Sequence, residues 1–534
     1  MHLGVYGRNA PTHVEILLTM IKGDPDYAPR STRRASAEAP SVTRLAHSPW
    51  PAPGPSNVTS ETADPLAHAA SLVTLPQRTQ LVDLHWAPAQ PPLHAPSAPA
   101  EIAADCAPPA PLPLFEDALG TRTPLHLPPL TSCSLGAPSG APVPIHILDC
   151  GAHIYDLLWL PTPHESEWLL AACASERNAR SVIGQPTASP GALQLWELPP
   201  NAAPRLAAML FHDAGTPLML RHVSPGSALA AVAVLFCDGS VRLIDLPAPH
   251  VSARTLHVGD LLTLSVPHTT CSSIAWSGGS LLAAGCTNGN IAFWDVRAAL
   301  ASHTREPLPV AEAPVHDTLI SALAWHMLPT DSPAADPTLL FSVGLDGSEF
   351  LSDVYSLFSP ARMAHGREPR YCATWAPWVR GWIVDLGDNQ YGTTSLQPDD
   401  VGQHHTVGFH HGRILAVAAS PFHPFTATGS ADGSVKVSNA VTATKRKAVD
   451  PKFKIMHKLY RLDVDGDAVV MKHGFFPEGT APSSAAAKSA PPMYDDWDPS
   501  IGIHALAWCP NIGRGLLLAS GAACGIARID WTEG

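Results

Sequence analysis

Ser272-Ser273-Ile274-Ala275-Trp276, the apolar run Leu282–Cys286, the turn Thr287-Asn288-Gly289-Asn290 and the run Ile291-Ala292-Phe293-Trp294-Asp295 follow one another without a break in character. A small or polar start, two alternating apolar positions and a closing Trp describe a short strand of period two with one face buried. Asn-Gly supplies the positive φ of a tight hairpin, and the strand after it alternates again. The stretch reads as three successive antiparallel strands.

Outward from there the scheme recurs. Tyr155–Trp159, Ser321–Trp325, Tyr371–Trp375 and His504–Trp508 repeat the opening strand. Cys237-Asp238-Gly239-Ser240, Leu345-Asp346-Gly347-Ser348, Ala431-Asp432-Gly433-Ser434 and a weaker Asp388-Asn389 repeat the turn. Together they count seven units: His153–Leu198, Pro217–Leu246, Cys271–Val296, Leu319–Val354, Tyr371–Leu396, Ile414–Asn439 and Ile503–Trp531. Such units cannot bury their faces alone; radial stacking makes the core, and closing the ring protects the edges. Trp294-Asp295 is the dipeptide that names the WD repeat. The expected fold is all-β, a seven-bladed WD40-type β-propeller over residues 143–534. Residues 1–142, rich in Pro, Ala and Ser, read as a largely irregular N-terminal extension, partly docked at most. A terminal strand should complete the last blade, either Pro144–Cys150 or Gln80–Trp86. An insertion at about 441–500, basic and then flexible, separates the last two units.

The bulk numbers agree. A seven-bladed ring needs roughly 300 residues; the chain has 534, with 56 prolines, 45% hydrophobic and 15% charged residues. Its net charge of −13 repels phosphate at long range, so contact with DNA requires a local basic patch or a partner. Ten cysteines form no CxxC pair, which points to small buried residues and not to zinc or redox chemistry. Neither Val14–Ile21 nor Ala228–Phe236 reaches the ~18 residues of a membrane span. A cytosolic or nuclear protein follows.

No nucleotide loop, nucleophile elbow or kinase signature is present, and no catalytic, cofactor-binding or metal-ligating residue is assigned. The Asp-Gly turns lack calcium-loop spacing. His404-His405 and His410-His411 point to opposite faces of a strand, and the Trp series occupies packing positions. Lys445, Arg446, Lys447, Lys452, Lys454 and Lys458 put six of 33 basic residues into 14 positions; this run suits phosphate contact, nuclear localisation or a solvated loop. Trp294-Asp295-Val296-Arg297 fits the Trp-Asp-x-Arg pattern of propellers that serve as substrate receptors of cullin-type ubiquitin ligases. Trp294, Asp295 and Arg297 are then the adaptor contact in an alternative reading.

The sixth and seventh units carry more. His410–Pro424, running on through Phe425–Asn439, together with Gly502–Asn511 and Ser342–Val354, resembles the WD-repeat subunit six of the RNA polymerase III transcription factor TFIIIC in fungi. The resemblance covers about Pro144 to Trp531. It implies a nuclear, non-catalytic scaffold that supports assembly on the internal promoters of tRNA genes. The implied partners are a second propeller subunit and the large B-box-binding subunit, with DNA bound indirectly or weakly, no membrane and no small-molecule substrate. Members of that family often carry a basic N-terminal extension with Arg-Gly-Arg-Pro-like pieces; here only Arg30, Arg33 and Arg34 cluster.

Overall fold

The computed structural model describes residues 100–101, 111–118, 120–136, 144–161, 166–179, 181–185, 191–200, 202–223, 231–246, 254–327, 337–387, 389–397, 400–443, 455–475, 478–479 and 497–532. Gln80–Trp86 and the loop expected at 480–492 lie outside them. The fold is an all-β propeller. Its strands fall into seven sheets, with one α-helix, Val296–Ala301, among the described residues.

Six sheets are blades that draw four antiparallel strands from their own stretch of chain. Their inner strands are Ile154–Leu160, Pro217–Val223, Cys271–Trp276, Ile320–Trp325, Ala373–Ala376 and Ile414–Ala419. Their outer strands are Arg205–Phe211, Asp260–Leu264, Ala311–Pro314, Ala361–His365, His404–Phe409 and Ile455–Asp465. The expectation of a seven-bladed ring is corrected here to six blades. The last unit brings only three strands, Ile503–Trp508, Leu517–Ala522 and Ile526–Trp531, and Ile145–Asp149 adds the fourth by pairing with Ile526–Ile529. The inner strands touch in order around a closed circle, ending where Ile503–Trp508 meets Ile154–Leu160.

A second correction concerns burial. Middle strands bury both faces, not one, while an inner strand such as Ile414–Ala419 alternates between buried and half-buried positions. Leu282, Ala284 and Cys286 pack toward the second blade, and Ala283, Ile291 and Phe293 toward the fourth. A blade lies between two neighbours, so each face of its sheet finds apolar cover.

The Trp series explains the stacking. Trp159, Trp325 and Trp508 each donate the indole N–H to a carbonyl on the neighbouring inner strand, at Ala507 (3.1 Å), Ala275 (3.2 Å) and Ala418 (3.2 Å). In the fifth blade Trp382 does this toward Ala324 at 3.3 Å. The buried Trp375 indole N–H has no hydrogen-bond partner among the described residues. In the Asp-Gly and Asn-Gly turns the Asp or Asn caps its hairpin with a side-chain oxygen, as Asp238 does for Ser240 N at 2.8 Å and Asn288 for Asn290 N at 3.1 Å. Only the following Gly is left-handed. Gly289, at φ +87°, could not carry a Cβ, which would fall 2.0 Å from the His316 carbonyl.

The chain ahead of residue 143 wraps the outside of the seam. Ala100–Glu101 pairs with Arg254–His257, which runs parallel to the outer strand of the first blade. Leu114–Ala118 and Thr121–Leu125 extend the sixth blade beyond Ala468–His473, and Ser132–Leu135 edges the composite sheet. Leu114, Leu127 and Ile147 share one core cluster with Tyr460 and Ile526. The segment read as an insertion at 441–500 therefore supplies an outer strand, Ile455–Asp465, whose charged outward side chains hid it from apolar patterning.

Candidate functional site on the faces of the ring

Two groups in the propeller have the composition of a hydrolytic triad. His316 contacts Ser342 Oγ at 2.9 Å through Nε2 and Asp346 at 3.1 Å through Nδ1. His410 contacts Thr428 Oγ1 at 2.8 Å and Ser434 Oγ at 2.9 Å, with Asp432 at 3.6 Å. Both imidazoles are fully buried, as are Ser342 and Thr428, so no substrate carbon can reach either hydroxyl. Burial lowers the pKa of both histidines, against the opposing pull of Asp346 and Asp432. Asp346 and Asp432 also accept from Asp317 N and His411 N. The groups clamp the hairpin turn to the loop that enters the same blade. Buried polar atoms are tolerable there because each is bonded.

A different histidine pair spans the seam. His153, ahead of the inner strand of the first blade, lies 4.7 Å from His504 of the composite sheet, ring centroid to centroid, and stacks on Tyr155 at 4.2 Å. Burial pushes His153 down to about 4 and His504 down to about 3. Beside them Arg177 forms a two-pronged bond to Asp149, 2.7 and 2.8 Å. The connection carrying Arg177 crosses from the composite sheet, through Asn178 N to Ala523 O, to the second blade, through Gly184 N to Cys237 O.

The residues singled out in the sequence sort unevenly. Lys445, Arg446, Lys447, Lys452 and Lys454 lie outside the described residues. Lys458 stands on the outer strand of the sixth blade with its ammonium 4.5 Å from the Phe475 ring centroid. Nearby, Arg461 lies over Trp497 and bridges Asp463, and the buried Lys436 donates to the Phe409 carbonyl at 2.9 Å. Trp294 is core, its indole N–H bonded to Pro307 O at 3.1 Å, and Asp295 caps the helix through Ala298 N at 2.8 Å. Arg297 is exposed on the first turn. Of the paired histidines, His404 meets Glu349 and His405 meets Asp400. Among the described residues no group of three or more His, Cys, Asp or Glu side chains is placed to hold a metal ion, and no helix is long and apolar enough to cross a membrane.

Sequence reasoning missed an exposed apolar rim. Leu308 and Val310 of the third blade are 73% and 65% exposed, and Tyr355 and Phe358 of the fourth are 69% and 81% exposed. Both pairs sit between a third and an outer strand, so they leave the ring on one face. The available signal was a set of large apolar residues in connections otherwise made of small, polar and charged residues and Pro.

No family model matches the chain. It is 24% identical over 408 residues to the transcription factor tau subunit sfc6 of Schizosaccharomyces pombe (strain 972 / ATCC 24843), an alignment covering 72% of this chain and 64% of that protein. The chain thus spans a little under two thirds of the relative's length. It is similar to this tau subunit as a distant relative.

Proposed function

We propose that this chain is a non-catalytic scaffold subunit of a TFIIIC-type complex, acting in the nucleus in RNA polymerase III transcription. The similarity to a tau subunit over 408 residues carries this reading. The geometry supports it, because the His, Ser, Thr and Asp side chains that imitate catalytic groups are spent on clamping hairpins. The partners are a second propeller subunit and a large B-box-binding subunit, and assembly takes place on the internal promoters of tRNA genes. DNA is met indirectly or weakly: the described cations of the sixth blade already face aromatic rings, carboxylates or carbonyls of their own chain. The domain reading is kept in modified form, an N-terminal extension whose last part belts the ring. Affinity purification of the tagged full chain from nuclear extract tests this. Recovery of the other TFIIIC-type subunits is expected; recovery of ubiquitin-ligase components alone overturns it.

A further inference from the structure

Half of the eight large apolar side chains that stand exposed among the described residues lie on two neighbouring connections of one face: Leu308, Val310, Tyr355 and Phe358. Both connections are pinned. Val310 N donates to Phe293 O at 2.7 Å, Pro307 O takes the Trp294 indole, and Arg305 O takes Thr263 N at 2.8 Å. Ser356 N and Ser359 N close turns onto Asp353 O and Ser356 O. Ala311, next to Val310, and Leu357, next to Phe358, pack on the same core cluster between the third and fourth blades. The exposed side chains therefore stand on a fixed base.

Their surroundings are cationic. Arg297, Arg305 and Arg362 are exposed along these stretches, with Glu306 among them; at the ends Asp295 is spent on the helix cap, Glu312 accepts from Asn290 and Asp353 is buried. None of the three arginines has an ion pair among the described residues. Exposed Tyr, Phe and Leu beside unpaired Arg have the composition of protein-binding hot spots.

We propose that this rim of the third and fourth blades docks an acidic segment, bearing leucine or aromatic side chains, from a partner protein. The proposal rests on the scaffold reading and names the surface and chemistry of one partner. Acidic groups on the segment would meet Arg297, Arg305 and Arg362, and its apolar groups would cover Phe358 and Leu308. A second copy of the chain fits badly, because a two-fold contact places this arginine-bearing patch against an identical patch.

The test uses the tagged full chain, as wild type, as Leu308→Ser/Phe358→Ser and as Arg305→Glu/Arg362→Glu, purified from nuclear extract. One co-purifying chain is expected to fall at least tenfold in both variants while thermal melting stays put, since exposed substitutions barely alter stability. A synthetic peptide of that chain's acidic, apolar segment should bind wild type in fluorescence anisotropy, more weakly at high salt and at least tenfold more weakly to each variant. Retention of every chain by both variants overturns the rim proposal and leaves the scaffold reading intact. So does failure of the peptide to bind, or a wild-type dimer in light scattering that the variants turn into monomer. Ligase components in place of transcription-factor chains overturn the scaffold reading, and a wild-type chain that recovers no partner overturns both.

Discussion

In the third blade all four strands lie between Cys271 and Pro314, whereas the sheet at the seam joins Ile526–Ile529 to Ile145–Asp149 across most of the chain. Both sheets use the same hairpins and bury the same kind of side chain. They differ in what their last pairing costs. Because loop closure rises with the logarithm of length, the seam pairing is disfavoured by roughly 2–3 kcal/mol relative to a pairing within one blade. The fully buried Ile147 and Leu148 more than offset this, at about 1.5–3 kcal/mol each. The belt of strands outside the seam adds further burial where the ring is entropically weakest.

The largest effect should come from removing that pairing. A chain lacking residues 1–150 loses the strand that completes the last sheet and exposes the faces it covered. We expect no cooperative thermal transition by circular dichroism, while a chain lacking only residues 1–99 keeps every described strand and melts like the full chain. A truncation at 150 that melts within a few degrees of the full chain would show that the seam needs no terminal strand.

Next come the indole bonds, which should not distinguish the two regions. Trp325→Phe frees the Ala275 carbonyl within the repeated blades, and Trp508→Phe frees the Ala418 carbonyl beside the seam. Each should cost about 1–3 kcal/mol in urea unfolding, the range for leaving a buried polar group unpaired. Trp375→Phe should cost less than either, because its buried indole N–H has no hydrogen-bond partner to lose. An equal cost at all three positions would mean that ring size, and not the hydrogen bond, sets the effect.

The contrast also explains what could be read in advance. Three strands of each unit were legible because their Trp endings, apolar runs and Asp-Gly turns serve local geometry that any blade needs. Outer strands were not, because Ala361–His365 and His404–Phe409 face solvent on much of their surface and carry Arg and His where the inner strands carry Leu and Ala. The closing strand Ile145–Asp149 was one of two candidates, since an apolar alternation states that a strand is buried but not what it pairs with. The exposed rim was hidden for a simpler reason: Leu308 and Phe358 look, in sequence, like any core residue that happens to lie near a turn.

Acid should separate the regions again. His153, His504, His146 and His423 hold pKa values of about 4, 3, 4 and 4, all pushed down by burial from an ordinary 6.5. A lowered folded pKa means that between about 6.5 and 4 the unfolded chain binds more protons, so stability is lost as pH falls through that window. Asp385, raised by burial to about 6, acts in the opposite sense between its ordinary 3.8 and 6, and burial also raises Asp149, Asp156, Glu167, Asp245 and Asp353, so the carboxylates offset part of the loss. His146, His153 and His504 all sit at the seam. Hydrogen exchange at pH 5 should therefore open Ile145–Asp149 and Ile503–Trp508 before the strands of the third blade, and His504→Gln should flatten the loss. Uniform opening around the ring would remove the seam's special acid sensitivity.

The smallest effect is expected on the belt's outer edge. Arg122 bridges Asp465 at 2.5 Å and covers the Phe115 ring at 4.2 Å, so it ties the last added strand to the sixth blade and to the neighbouring belt strand. Both charged side chains are well exposed, at 39% and 64%, and an ion pair in water contributes at most about 1 kcal/mol. If the belt is held by its buried face, meaning Leu114, Leu127 and their cluster with Ile147, Arg122→Ala should shift the urea midpoint barely at all, and less still in high salt. Leu114→Ala, by contrast, should cost about 2–5 kcal/mol, as burial of a Leu at 2% exposure implies. A loss at Arg122 as large as that at Leu114 would place the belt's hold on its charged rim and not in its core.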